Sequence, residues 1–292
     1  MRIVQKHIKI IMGRTDQICI NSFALLHETS NPISIIFSKT DWLHYDLAAI
    51  EKWGNPCVVI CGNSDYCIGN SYHPFGEKLA DIVPKNVVRI FCQNCLVSKD
   101  HPNYDKFVIV PIGIENYIEC KRKDCGFIPD NAVEKHRLLS IFDTSLSPIS
   151  DQLYSNFAVR QNCQSREHRE LIKKISVDSP HIKWQEPTLT TEQFYREVLN
   201  HEATICAQGN GPGDNHRIYE VLYLNRIPIT FNGEMYDRLH KNFPVVYLEQ
   251  AEMLLDKSYM DSLISKAKNT DWNREMLYSP YWLNVISEKS KP

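Results

Sequence analysis

The sequence predicts an α/β protein made of two parallel sheets, and three observations carry that prediction. Short runs rich in Val, Ile, Phe and Tyr recur along the chain, and helical patterns of about ten residues lie between many of them. A polar stretch near the middle divides the runs into two groups. At 292 residues the chain is long enough to bury a sizeable core.

The first group of strand-like runs covers residues 17–23, 33–37, 57–61, 87–92 and 107–111. The second covers 153–157, 203–207, 227–231 and 245–248. Residues 41–53 read as a helix with Thr40 or Asp41 as cap and Leu43, Leu47 and Ile50 on one face. Residues 165–175 start at a serine cap, and 191–199 follow a Thr-Thr start. Lys121-Arg122-Lys123-Asp124, Pro129-Asp130-Asn131 and Leu146-Ser147-Pro148 make residues 117–150 read as a connection between the sheets. The expected organisation is a Rossmann-like domain at 1–135, a second at 136–270, and a helix in 271–292 packing back across them.

Composition narrows the function. A formal charge of -2 excludes a basic nucleic-acid surface, and 43 % hydrophobic residues describe an ordinary globular chain. The longest apolar runs, 58–61 and 107–112, fall far short of the ~20 residues that span a bilayer. The mixed stretch Met1-Arg2-Ile3-Val4-Gln5-Lys6-His7 does not read as a signal peptide. The expected location is therefore the cytoplasm, with peripheral membrane attachment as the alternative. Ten cysteines are scattered along the chain. Cys92 and Cys95 have CxxC spacing and Cys120 with Cys125 would complete a zinc site, but buried free thiols are the expectation and no metal is assigned.

The chemistry concentrates in Gly209-Asn210-Gly211-Pro212-Gly213-Asp214-Asn215-His216-Arg217-Ile218-Tyr219-Glu220, which follows the apolar run 203–207. Glycines permit a tight turn there, Asp214 reads as the helix cap, and Ile218, Val221 and Leu222 share an inward face. A diphosphate at this helix start would meet Gly211 and Gly213 amides, the positive end of the helix dipole and the Arg217 guanidinium. Glu220, on the same face as Arg217, would accept ribose hydroxyls. The GxGxxG fingerprint does not apply to this spacing, and the P-loop lysine is absent.

The same segment resembles the C-terminal signature of exostosin-like glycosyltransferases, a glycine-rich turn followed by Asp-Thr-His-Arg, Glu-Ala-Leu and Gly-x-Ile-Pro-Val. Here it stands as Gly213-Asp214-Asn215-His216-Arg217, Glu220-Val221-Leu222 and Asn225-Arg226-Ile227-Pro228-Ile229. Lys39-Thr40-Asp41, Gly62-Asn63-Ser64-Asp65-Tyr66, Gln93-Asn94, the stretch Ile109-Val110-Pro111-Ile112-Gly113-Ile114-Glu115-Asn116, Asn156-Phe157 and Arg166 agree in order. Asn215 stands where threonine is usual and Asn225 where glycine is usual. The resemblance implies a GT-B fold, two Rossmann-like domains whose parallel sheets face a cleft. It also implies metal-independent transfer from a nucleotide sugar, with Arg217 on the diphosphate and Glu220 on the ribose.

Transfer of a sugar requires cations or amides on the departing diphosphate, and an inverting route requires a base at the acceptor hydroxyl. Arg166, Asp214, His216, Arg217 and the turn glycines are the donor-binding candidates; Asp65 and then Glu115 are the base candidates. No cofactor is expected beyond the nucleotide-sugar substrate, and the acceptor is a glycan, lipid-linked or other hydroxyl compound. Two rivals stand beside this reading: a non-catalytic nucleotide- or glycan-binding protein on a transferase scaffold, and a dinucleotide-dependent oxidoreductase.

Overall fold

A computed structural model describes residues 34–62, 64–69, 75–114, 129–159, 165–209, 211 and 213–289. Its contacts divide the chain into two units: Met1–Ile112 with Gly211–Asp214 and Arg274–Pro292, and Gly113–Asn210 with Asn215–Asn273. The division falls after Ile112 rather than after residue 135, and the segment from Arg274 groups with the first unit. The expected strand at 17–23, together with Glu115, Cys120 and Cys125, lies outside the described residues.

The first unit contains β1 (Ser34–Lys39), β2 (Cys57–Gly62), β3 (Val87–Cys92) and β4 (Phe107–Ile109), hydrogen-bonded in that order and all parallel. Every residue of β2 is buried, which is why Cys57-Val58-Val59-Ile60-Cys61-Gly62 reads as a continuous apolar run rather than an alternating one. Helix α1 (Leu43–Trp53) lays Leu43, Leu47 and Ile50 against this sheet, all three with no exposed surface. Burial of each such side chain contributes about 1.5–3 kcal/mol. The cap expected at Thr40 or Asp41 is not formed. Thr40–Trp42 makes a 3-10 turn instead, and α1 begins beyond it without a side-chain cap. The helix stops at Gly54, whose φ of 77° lets its N–H return to the Ile50 carbonyl. A short helix α2 (Gly76–Leu79) follows β2.

Among the described residues, the first helix of the second unit is α3 (Pro129–Ile141), where the sequence reads as a polar connection. Pro129-Asp130-Asn131 opens that helix, since proline and short polar side chains suit a first helical turn as well as a loop. Then come β5 (Leu153–Ser155), α4 (Arg166–Asp178), β6 (Ile182–Trp184), α5 (Thr191–Asn200), β7 (Ala203–Ile205), α6 (His216–Tyr223), β8 (Ile227–Thr230), α7 (Gly233–Arg238), β9 (Val246–Tyr247) and α8 (Lys257–Lys268). The strands are parallel in the order β6-β5-β7-β8-β9. Leu153, Ala203, Ile205, Ile227 and Ile229 share one buried cluster with Ile172 and Ile175 of α4 and with Met260 and Ile264 of α8. On the alternate positions, Tyr154 faces Phe194 of α5 at 6.0 Å between ring centroids. Helices therefore cover both faces, as a parallel sheet requires. The expected tail helix at 271–289 is broken into a 3-10 turn, Arg274–Leu277, and helix α9 (Ser279–Lys289).

The strand order places a topological switch point in the second sheet. From β5 the chain runs outward through α4 to β6; from the adjacent β7 it runs the other way through α6 to β8. The loops that leave β5 and β7 therefore diverge at the carboxyl ends of neighbouring strands. In open α/β sheets that divergence opens a crevice where ligands bind.

Candidate functional site

The glycine-rich turn leaves β7 at this switch point. Its outgoing half is laced to the loop that leaves β5. Arg169 of α4 donates from Nε to the Gln208 carbonyl at 2.7 Å and from Nη1 to the Ala158 carbonyl at 2.6 Å. Ser165, read as a helix cap, makes no cap bond. Its hydroxyl lies 3.0 Å from the Gln208 carbonyl and 2.7 Å from that of Gly209. The side chain that would cap α4 holds the glycine turn instead. Arg166, the arginine expected at the donor, is 42 % exposed and pairs with Glu170 one helical turn away. Arg169 is the arginine built into the loops.

The cap of α6 also differs from the expectation. Asn215, with extended φ and ψ, accepts the Arg217 N–H at 2.8 Å, and its Nδ2 donates to the Ala207 carbonyl. Asp214 is not the cap. It is buried in the first unit, where a carboxylate oxygen accepts the Ile112 N–H at 3.0 Å and its own N–H donates to Asn94 Oδ1 at 2.7 Å. Gly213 is required for a related reason: a Cβ there would collide with the Asn94 side chain. The amides of Asp214 and Arg217 are thus spent within the protein rather than kept for a phosphate.

Asn94 is itself unusual. It is buried, holds φ at 54°, and donates from Nδ2 to the Ser64 carbonyl at 2.9 Å. Asparagine tolerates that left-handed backbone better than most residues, and its two-ended amide serves the two loops at once. Asp65 follows Ser64 in the bend beyond β2. It is exposed and has no hydrogen-bond partner among the described residues.

Within the second unit the charged groups of α6 converge. Arg217 stacks its guanidinium 3.9 Å from the Phe194 ring centroid, donates from Nη1 to the Asn156 carbonyl at 3.0 Å, and sets Nε 3.1 Å from Glu220 Oε2. Among the described residues its Nη2 has no hydrogen-bond partner. Arg217 is half-buried. Asn156 is held in turn, donating from Nδ2 to the carbonyls of Gln185 and Glu186.

Glu220 is 2 % exposed, and its second oxygen lies 2.8 Å from Lys135 Nζ on α3. Burial pushes its carboxyl up, but Lys135 and Arg217 reverse that, and the group lies below its ordinary pKa. Each carboxylate oxygen faces a cation, and the group anchors Arg217. Lys135 carries no sequence signal, because its segment reads as a connection. His216 donates from Nδ1 to the Gly113 carbonyl at 2.7 Å, so in the neutral ring Nε2 is the acceptor. The half-buried His216 ring has its tautomer set by a backbone contact.

The two departures from the exostosin-like pattern keep the local physics. Asn215 caps α6 as threonine would, and Asn225 adopts φ of 57°, the left-handed conformation that glycine would supply. The six described cysteines, Cys57, Cys61, Cys67, Cys92, Cys95 and Cys206, are buried. No group of three His, Cys, Asp or Glu residues arranged to hold a metal occurs among the described residues, and no described helix is long and apolar enough to cross a membrane.

No family model and no curated protein matches the chain. Among solved structures it is similar to a spinosyn rhamnosyltransferase, SpnG, complexed with thymidine diphosphate. The likeness covers 88 % of this chain and 69 % of that one, at 11 % identity and a TM-score of 0.40.

Proposed function

We propose that the protein is a glycosyltransferase that binds a nucleotide sugar through the loops at the switch point of its second sheet. One observation carries the reading. Arg217 is fixed at the start of α6, beyond the carboxyl ends of β5 and β7, with Nη2 left for a ligand. A guanidinium there forms charge-assisted bonds to a diphosphate, and those bonds strengthen as negative charge builds on the leaving group. His216, when its ring is protonated, adds an Nε2–H donor at the same helix start.

In the transfer step, the acceptor oxygen bonds to the anomeric carbon as the carbon–oxygen bond to the diphosphate breaks. The diphosphate leaves with the electron pair, toward Arg217. The hydroxyl proton passes to a carboxylate, and Asp65 is the residue we assign to that task. Its exposure and lack of a partner among the described residues leave it open to accept a proton. The acceptor is a glycan or another hydroxyl compound, and transfer proceeds without a metal.

The reading is tested by thermal shift of the full chain with uridine, thymidine, guanosine and cytidine diphosphates, followed by hydrolysis assays with the matching nucleotide sugars. Saturation at a hundred times Kd adds about 2.7 kcal/mol to stability, a clear rise in Tm. Absence of any rise with all four overturns the reading. Binding without hydrolysis or transfer would favour the non-catalytic alternative.

A further inference from the structure

We infer that Lys135 is a positioning residue for nucleotide binding: it ties down the buried Glu220 carboxylate, which in turn fixes the Arg217 guanidinium. The inference rests on the reading of Arg217 as the diphosphate ligand and adds a residue from a helix that the signature does not include.

Charge arithmetic supports it. Arg217 and Glu220 alone form a neutral pair, a poor receptor for an anion. Lys135, with Nζ 2.8 Å from Glu220 Oε1, adds a second cation beside that carboxylate. The cluster is largely dry: Glu220 is 2 % and Lys135 14 % exposed, so solvent does little to screen these charges. Geometry agrees. Each carboxylate oxygen has its own cation, so Glu220 is held from two helices, α3 and α6, and presents one fixed oxygen to Arg217 Nε.

Among the described residues, titratable groups on three parts of the chain act on Glu220. They are Lys135 on α3, Arg217 and His216 on α6, and the Cys206 thiol beyond β7. Removal of Lys135 takes away the largest cationic influence on a buried carboxylate, so the carboxyl takes up a proton more readily. An anion arriving beside it favours that protonation further. Binding by the variant then becomes coupled to proton uptake.

The test is calorimetric titration of the full chain with a nucleoside diphosphate that raises its Tm, at pH 5.5 to 8. The unmodified chain is compared with Lys135→Met and Lys135→Arg. The readout is the ratio of the two affinities at each pH, which cancels the ligand's own titration. At pH 8 we expect Lys135→Met to bind about tenfold or more weaker, the scale of a lost charged hydrogen bond, with the deficit shrinking toward pH 5.5. Lys135→Arg should restore affinity and a ratio near one throughout. Lys135→Gln serves the same comparison if the methionine variant does not fold. An unchanged affinity, or a loss of the same size at every pH, overturns the role of Lys135 while the Arg217 reading stands. No binding by the unmodified chain overturns both.

Discussion

Asn94 Oδ1 accepts the backbone N–H of Asp214 at 2.7 Å, joining two residues 120 positions apart in the chain. The same amide donates to Ser64, so one buried side chain spans the bend beyond β2 and the glycine turn. Gly213 leaves room for it.

A methyl group at position 213 should therefore act as overpacking. Gly213→Ala is expected to destabilise the protein by about 1–3 kcal/mol, read as a fall in urea midpoint. In an Asn94→Gly background, which keeps the positive φ and removes the obstructing amide, most of that penalty should vanish. Simple additivity of the two substitutions would show that the collision is not what selects glycine.

Arg217→Ala should abolish measurable nucleoside diphosphate binding. It should also cost about 1–3 kcal/mol of stability, because it removes a stacked, hydrogen-bonded side chain and takes a cation from Glu220. Arg217→Lys keeps the charge and loses the planar fork, so binding should weaken about tenfold or more. Titration calorimetry with Tm measured in parallel separates the two effects. Ligand affinity retained in the alanine variant would remove Arg217 from the site.

Asp65 is exposed, so Asp65→Asn should leave Tm and nucleotide affinity within error of the parent. Turnover should fall by about 100-fold or more, the contribution expected of a general base. If affinity falls in step with turnover, Asp65 is supporting the loop and not receiving a proton.

Buried thiols contribute to a loss of stability at alkaline pH. Burial raises Cys57 to about 11 and Cys206 to about 12. An unfolded thiol titrates at about 8.5, so above that pH the unfolded state loses protons that the folded state keeps. The stabilising contribution is complete below about pH 8.5 and is lost as pH rises toward 11–12. Urea midpoints should decline across that window, and Cys206→Ala should flatten part of the slope. At pH 8 the six described cysteines should resist a thiol reagent until denaturant is added. Rapid labelling of the native chain would contradict their burial.

Much of the scaffold is legible in the sequence because burial on both faces gives parallel strands an uninterrupted apolar composition. Strands β2, β3, β7 and β8 fall within or on the expected runs, and α5 begins with the Thr190–Gln193 capping box where the Thr-Thr start lies. Strand β6 is missed because Ile182-Lys183-Trp184 offers three residues and a charge. Helix α3 is missed because a polar helix start has the composition of a loop. The site divides the same way. Local spacing finds Arg217 and Glu220 on one helix turn, but Lys135, Phe194 and Asn156 join them only through the fold. Local propensity also misassigns three side chains. Ser165, Asp214 and Thr40 suit caps, yet tertiary contacts or a 3-10 turn take them elsewhere.

The clamp on Arg217 has a thermodynamic corollary. An arginine side chain carries about 2 kcal/mol of rotamer entropy, and here stacking on Phe194, the Asn156 carbonyl and Glu220 remove that freedom during folding. A ligand that meets this guanidinium does not have to freeze it. The entropic penalty of recognition has already been met by the fold, so association should resemble docking onto a rigid template.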